Sequence, residues 1–286
     1  MVSSTLPTCA DALLSARQLG LERLDAQLLL LHALGKPASA RSWLLAHDTD
    51  TLAPDAAGLF AVLSRRRAGG EPLAYLVGSQ EFFGLPLQVD PRVLVPRPDT
   101  ETLVEWALEV LQLADTPAEL QVLDLGTGSG AIALAIAHSL QAAGRQARIT
   151  AVDASADALD VARENARRLN LPLECLQSCW FAQVPGCYHL IVSNPPYIAS
   201  ADPHLPALRH EPLRALTAGA DGMDDLRHII GQAPGWLQPD GWLLLEHGHD
   251  QASRVCELFR QRGFVQIGSR PDLAGIARCS GGLWPA

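Results

Sequence analysis

Apolar residues recur at three- and four-residue spacings from Leu13 and Leu14 through Leu21, Leu24, Leu28, Leu31 and Leu34, the period of helices that bury one face. Gly35 and Pro37 stop this run. A further helix is predicted over 54–67, with Pro54 in its first turn, Leu59, Phe60 and Leu63 turned inward, and Gly69 and Gly70 behind it. Together these segments predict a small helical bundle. From Tyr75 to Val95 the period drops to two, with Phe82, Phe83, Leu85, Leu87 and Val89 set around Gly84 and Pro86. This is the pattern of a β-hairpin. Beyond Pro96, Arg97 and Pro98, apolar runs at 121–125, 149–153, 190–193 and 242–246 alternate with helical stretches. These start at Gly130, run over 156–169, lie near Asp225 and begin again at Gln251. Such alternation predicts an α/β fold with a mostly parallel sheet covered on both faces. The expected division is a helical domain over 1–73, a hairpin linker over 74–95 and the α/β domain over 96–286.

Composition narrows the function. At 286 residues, 48% hydrophobic and 19% charged, the chain has ample apolar material for packed cores and is not a disordered polymer. A net charge of −9 argues against a protein that grips a nucleic-acid backbone, so no direct nucleic-acid binding is expected. The first residues carry no basic segment followed by a long apolar run, and no window approaches the length of a membrane span. The expectation is therefore a cytoplasmic protein whose six cysteines are reduced. Cys175, Cys179 and Cys187 cluster, but without the paired spacing of a zinc site no metal is expected.

A buried strand runs directly into Gly126, Thr127, Gly128, Ser129 and Gly130, and a helix follows. Gly126 and Gly128 allow close approach of a ligand to the backbone, Gly130 allows close helix packing, and the free N–H groups of the helix start favour a polar group. Asp153 ends the next strand, where a carboxylate can accept both hydroxyls of a ribose. The turn alone leaves a dinucleotide enzyme open, because Gly126, Gly128 and Ala131 also fit the loose dinucleotide pattern. There is no second glycine-rich turn for the other half of a dinucleotide, however. Asp124 ahead of the first glycine gives an Asp-x-Gly-x-Gly-x-Gly run that resembles the S-adenosylmethionine-dependent methyltransferases of the Rossmann-like class.

Asn194, Pro195, Pro196 and Tyr197 follow the strand ending at Ser193, the position at which open α/β sheets bind ligands. Both Asn194 and Pro195 precede a proline and are held extended, and Pro195 offers only its carbonyl. The Asn194 side-chain oxygen and that carbonyl form two acceptors matched to the two hydrogens of a planar NH2 group, such as a glutamine amide or an adenine amine. Tyr197 can stack on the same plane. An amide nitrogen is a weak nucleophile because its lone pair is delocalised. Holding both of its hydrogens sets the approach of nitrogen to carbon at about 3–3.5 Å.

Taken together these motifs resemble the protein-(glutamine-N5) methyltransferases that modify peptide-chain release factors, the HemK or PrmC family, over nearly the whole chain. The resemblance extends to residues 66–75, the hairpin 81–85, residues 95–101, Asn165, Glu211 and Pro212, and residues 244–248. It implies methyl transfer from S-adenosyl-L-methionine, leaving S-adenosyl-L-homocysteine, to the glutamine of a Gly-Gly-Gln loop in class 1 release factors. The enzyme is expected to act as a monomer, with the helical domain docking the substrate. By position, Gly126, Thr127, Gly128, Ser129, Gly130 and Asp153 would hold the cofactor and Trp180 would lie against its adenine. Asn194 would serve both cofactor and substrate, and Pro195, Pro196 and Tyr197 would clamp the glutamine. Arg97 and Thr100 would form part of the pocket wall, while Thr102 and Glu105 could instead make a helix-capping box. The chain departs from the family at Cys179, where an acidic residue usually precedes the tryptophan. Glutamine methylation of a ribosomal protein, N6-adenine methylation of DNA and a non-catalytic binding module are the alternatives; the negative charge disfavours the second.

Overall fold

The computed structural model describes residues 6–113 and 119–286, so the first five residues of the expected helical domain lie outside the described residues. The chain forms two units that meet in sequence between Ser79 and Gln80.

The first unit is helical: α1 (Cys9–Gln18), α2 (Arg23–Ala33), α3 (Arg41–Ala46), α4 (Pro54–Ala68) and α5 (Leu73–Val77). Thr8 and Asp11 cap α1 reciprocally, each side chain bonding the other's backbone N–H. Leu29, Leu30, Leu31, Leu44, Phe60 and Leu63 form its core. Leu59, expected inside, is 43% exposed; Phe60 and Leu63 occupy the inward stripe and turn their neighbour outward. Residues 75–77 belong to α5 and not to the period-two segment, because Gly78, with φ +71°, ends that helix just before the strand begins.

The hairpin of β1 (Ser79–Phe82) and β2 (Leu85–Gln88) starts at the boundary and, from Gln80 on, belongs to the second unit. Phe83 and Gly84 both have positive φ, 52° and 77°, the conformation of the tight turn that matches strand twist. After α6 (Glu101–Leu113) come β3 (Leu120–Leu125), α7 (Ala131–Ala142), β4 (Ala147–Asp153), α8 (Ala156–Leu169), β5 (Glu174–Gln177) and β6 (Tyr188–Ser193). The chain closes with α9 (Asp224–Gln232), β7 (Leu237–Glu246), α10 (Ala252–Arg262), β8 (Val265–Pro271) and β9 (Ala277–Leu283). Thr102 lies inside α6, so the capping box expected with Glu105 does not form. A 3-10 turn at Pro98–Thr100 leads into the helix and starts it earlier.

The seven-stranded sheet has the order β5-β4-β3-β6-β7-β9-β8. Strands β3 to β7 are parallel, and β9 pairs antiparallel with β7 and β8. Alternate side chains of β3 enter opposite cores, Val122 with α6 and α7 on one face, Leu123 and Leu125 with α9 and α10 on the other, as a sheet covered on both faces requires. From β3 the chain builds outward to β4 and β5, then crosses back to lay β6 on the other side of β3. That reversal opens a crevice at the carboxyl ends of β3 and β6, where Leu125 is in register with Ser193. The glycine turn and the Asn-Pro-Pro-Tyr segment therefore leave neighbouring strands at the same edge. Among the described residues, no helix is long and apolar enough to cross a membrane.

Candidate active site

The crevice holds a cavity of about 230 Å³, lined by Gly126, Gly128, Asp153, Trp180, Asn194 and Pro196, with Arg92, Cys179, Arg214 and Asp225 among the other wall residues. Gly126, Gly128 and Gly130 have φ of 71°, 54° and 82°, a region that side chains with a Cβ enter only under strain. The turn folds back on the neighbouring strand: the amides of Gly126 and Thr127 donate to the Val152 carbonyl. Asp153 fastens it further, one oxygen accepting the Gly128 N–H at 3.0 Å and the other the Ser155 N–H at 2.9 Å. Each carboxylate oxygen keeps a lone pair for a further donor.

The remaining residues of the turn face away from the cavity. The Thr127 hydroxyl donates to Asp124 at 2.7 Å, the Ser129 carbonyl accepts from Asn165 at 2.9 Å, and a Cβ on Gly130 would press on Ala162 at 3.3 Å. They shape the cradle from behind. Trp180, with φ +49°, turns its ring toward Gly126, 3.6 Å from where a Cβ would stand there, and its indole N–H donates to Asp225 at 3.2 Å. The wall next to the tryptophan thus carries a carboxylate from α9, although position 179 is a cysteine.

The Asn-Pro-Pro-Tyr segment is held from three sides. Asn194 Nδ2 donates to Thr100 Oγ1 at 3.3 Å, which leaves Asn194 Oδ1 as the acceptor atom of a side chain that lines the cavity. Pro195 is buried. The Tyr197 hydroxyl points inward to Glu246 Oε1 at 3.2 Å, and the Tyr197 carbonyl accepts from Gln251 at 3.0 Å. Arg97 and Thr100 stand behind this segment and not in the cavity wall: Arg97 pairs at 2.5 Å with Glu211, which also accepts the Val95 N–H at 3.1 Å, and Thr100 is buried.

Two carboxyls are enclosed here. Burial pushes Asp124 up to about 7, against the pull of the Thr127 hydroxyl and the Ala133 amide. Burial likewise raises Glu246 to about 7, with Thr100 and Tyr197 drawing it back. A carboxyl whose folded-state pKa lies above its unfolded value binds more protons folded than unfolded, so its contribution to stability falls as pH rises from about 4 to about 7. Chemical denaturation of Asp124→Asn should accordingly improve relative to the unmodified protein over that pH interval. A pH-independent difference between the two would contradict the assigned protonation.

Arg214, Asp225 and Glu246 lie outside the set of site residues that the sequence indicates. Arg214 bonds the Ser155 hydroxyl at the cavity wall, and Asp225 reads in sequence only as an acid in a helix's first turn. Glu246 had a usable signal, since it ends β7 one residue past Leu245, the partner of Ser193 on β6, just as Asp153 ends β4.

Residues 8–78 match the PrmC N-terminal domain family and residues 105–210 the Methyltransferase small domain family. The chain is 50% identical over 267 residues to a release factor glutamine methyltransferase of Bordetella pertussis, covering 92% of this chain and 95% of that protein. It is 46% identical to one of Burkholderia pseudomallei, covering 99% and 100%. A methyltransferase from Pyrococcus furiosus shares the fold, with a TM-score of 0.52 at 18% identity over 71% of this chain and 91% of that one. With half of the aligned residues identical to a relative that it spans almost end to end, this chain belongs to the release factor glutamine methyltransferase family.

Proposed function

We propose that the protein transfers a methyl group from S-adenosyl-L-methionine to the side-chain nitrogen of the glutamine in the Gly-Gly-Gln loop of class 1 release factors, in the cytoplasm where those factors act. The observation that carries this reading is the meeting of two motifs in one crevice: the glycine cradle leaving β3 and the Asn194 acceptor leaving β6 border the same cavity.

The cofactor fits the residues present. The glycine turn has no side chain toward the cavity, Asp153 has acceptor capacity for ribose hydroxyls, and the flat face of Trp180 suits an adenine. When bound, S-adenosyl-L-methionine supplies an electrophilic methyl on a sulfonium centre. The chain's own task is to make an amide nitrogen meet that carbon. Asn194 Oδ1 and the Pro195 carbonyl accept the two amide hydrogens, and Tyr197 flanks the amide plane. The nitrogen is held in line at near-contact distance, and orientation of this kind accounts for a large share of a barrier. No nucleophile of the enzyme takes part, and of the two hydrogens so held one stays on the methylated nitrogen while the other leaves as a proton to water.

Asp153→Asn should weaken cofactor binding by about 10–100-fold, since bonds to a charged acceptor are worth roughly 1.5–3 kcal/mol and about 1.4 kcal/mol is tenfold in affinity. Isothermal titration with S-adenosyl-L-methionine measures this, and unchanged affinity would remove Asp153 from the cofactor site. The reaction itself is tested by incubating the protein with methyl-labelled cofactor and a purified class 1 release factor. Label is expected in the factor and absent when its Gly-Gly-Gln glutamine is replaced by alanine. Equal labelling of both would point to another acceptor.

A further inference from the structure

One buried polar side chain of α8 lies outside the cavity wall yet joins two stretches that form it. Asn165 is 1% exposed and sits one helical turn beyond Ala162, against which Gly130 packs. Its Oδ1 accepts the Gln88 N–H at 2.7 Å, and its Nδ2 donates to the carbonyls of Gln88 at 3.0 Å and Ser129 at 2.9 Å. Both amide hydrogens meet acceptors and the amide oxygen meets a donor, so the opposite orientation would set an oxygen against two carbonyl oxygens. Gln88 ends β2. After the buried Val89 and a turn in which Asp90 holds the Arg92 N–H at 3.0 Å and its guanidinium at 2.7 Å, the chain enters the cavity wall as Arg92, Val93 and Leu94. Ser129 follows Gly128, another residue of that wall. A single amide thus bonds both the lead-in to one side of the cavity and the turn that forms the other.

We infer that Asn165 is a positioning residue of the cofactor site, fixing the spacing between the wall that follows β2 and the glycine turn, and with it the width of the cradle. The inference rests on the reading of this cavity as the site of S-adenosyl-L-methionine. A carboxylate of the same shape keeps the bond to the Gln88 N–H and loses both bonds to the carbonyls, because it has no hydrogen to give. Without those bonds the two sides of the cradle are free to part, and affinity falls by the fraction of molecules in which they stand at the right spacing. The segment that holds the substrate amide is fastened separately: Asn194 bonds Thr100, and Tyr197 bonds Glu246 and Gln251. Loss of Asn165 therefore acts on cofactor binding and leaves the chemical step in place.

The test compares Asn165→Asp and Asn165→Ala in the full-length protein with Leu111→Ala, which opens a void in the core under α6 and touches no part of the cavity. By isothermal titration the dissociation constant for S-adenosyl-L-methionine should rise about 10-fold in both Asn165 variants and stay within twofold in Leu111→Ala. The KM for the cofactor in release-factor methylation should rise by the same factor, with kcat at saturating cofactor within threefold of the unmodified protein. Amide hydrogen exchange on the cofactor-free protein reads the turn directly. The Gly126 and Thr127 amides, bonded to the Val152 carbonyl, should lose more protection than the amides of β6 in the Asn165 variants, and no more than those of β6 in Leu111→Ala. If Asn165→Asp does not fold, Asn165→Ala decides. Unchanged cofactor affinity, an equal loss of affinity in Leu111→Ala, or a fall in kcat with affinity intact would overturn the inference. Failure of the unmodified protein to bind S-adenosyl-L-methionine would overturn the cofactor reading instead, and the exchange comparison would still decide whether Asn165 holds the turn.

Discussion

Replacing Asn194 by alanine should lower the rate of methyl transfer by about 10²–10³-fold, the range seen when one preorganised polar contact is removed from a reacting centre. The fold should persist, because the Asn194 side chain is only part-buried and its one structural bond, to Thr100, is long at 3.3 Å. Cofactor affinity should move far less than turnover, since Asp153, the glycine turn and Trp180 border the cavity independently of Asn194. Single-turnover kinetics with saturating release factor separates the two effects. A loss confined to cofactor binding, with the chemical step intact, would show that Asn194 holds the cofactor and does not orient the amide.

A second large effect is expected from Gly222→Ala, at a position that touches no part of the cavity. Gly222 has φ +70°, and a Cβ there would run into the Tyr197 carbonyl oxygen and stand 3.0 Å from the Gln251 amide that bonds it. Gln251 ties this corner together, donating to the carbonyls of Tyr197 and Gly222 while accepting the Gly248 N–H at 2.8 Å. Backbone strain at such a φ costs about 1–3 kcal/mol, and the steric conflict adds about 1–3 kcal/mol more if neither strand of the corner yields. Part of this is relieved by shifting Tyr197 and the prolines before it. Displacement of a reacting group by about 1 Å can cost on the order of 10²-fold in rate. Urea unfolding and methylation assays run side by side should thus show both a lowered midpoint and a turnover reduced by about 100-fold among molecules that remain folded. Full activity per folded molecule would mean that the Tyr197 corner tolerates the shift.

Much of the α/β unit was legible because its central strands are continuous apolar runs and its helices carry clear faces. The helix over 156–169 coincides with α8, bounded by the Ser155 cap and by Asn170 in a left-handed conformation. The glycine turn and the Asn-Pro-Pro-Tyr segment were legible for a different reason, since each needs a backbone geometry that few residues adopt. What was missed lies at the sheet's edges. Strand β5 is short and half exposed, and β8 is exposed along most of its length, so neither has an apolar run. Strand β9 carries Gly281 and Gly282 where Leu244, Trp106 and Phe259 press against it; the bulk that marks a strand is supplied by its neighbours. Strand β7 begins earlier than its apolar run, because Pro239, Asp240 and Gly241 sit at a register shift against β6.

In the site, the residues that sequence identifies are those whose type announces a backbone role or a strand end. Arg214 and Asp225 do not, since their meaning comes from a loop and a helix brought to the crevice from far along the chain. The acid missing before Trp180 illustrates the limit. Position 179 alone suggests a lost contact, yet the fold supplies Asp225 to the same indole.

The most direct test of the account is tandem mass spectrometry of a class 1 release factor after incubation with this protein and S-adenosyl-L-methionine, with the Asn194→Ala variant in parallel. The account predicts a single methyl group on the side-chain nitrogen of the Gly-Gly-Gln glutamine, present with the unmodified protein and nearly absent with the variant. A methyl group on any other residue, or equal methylation by the variant, would contradict it.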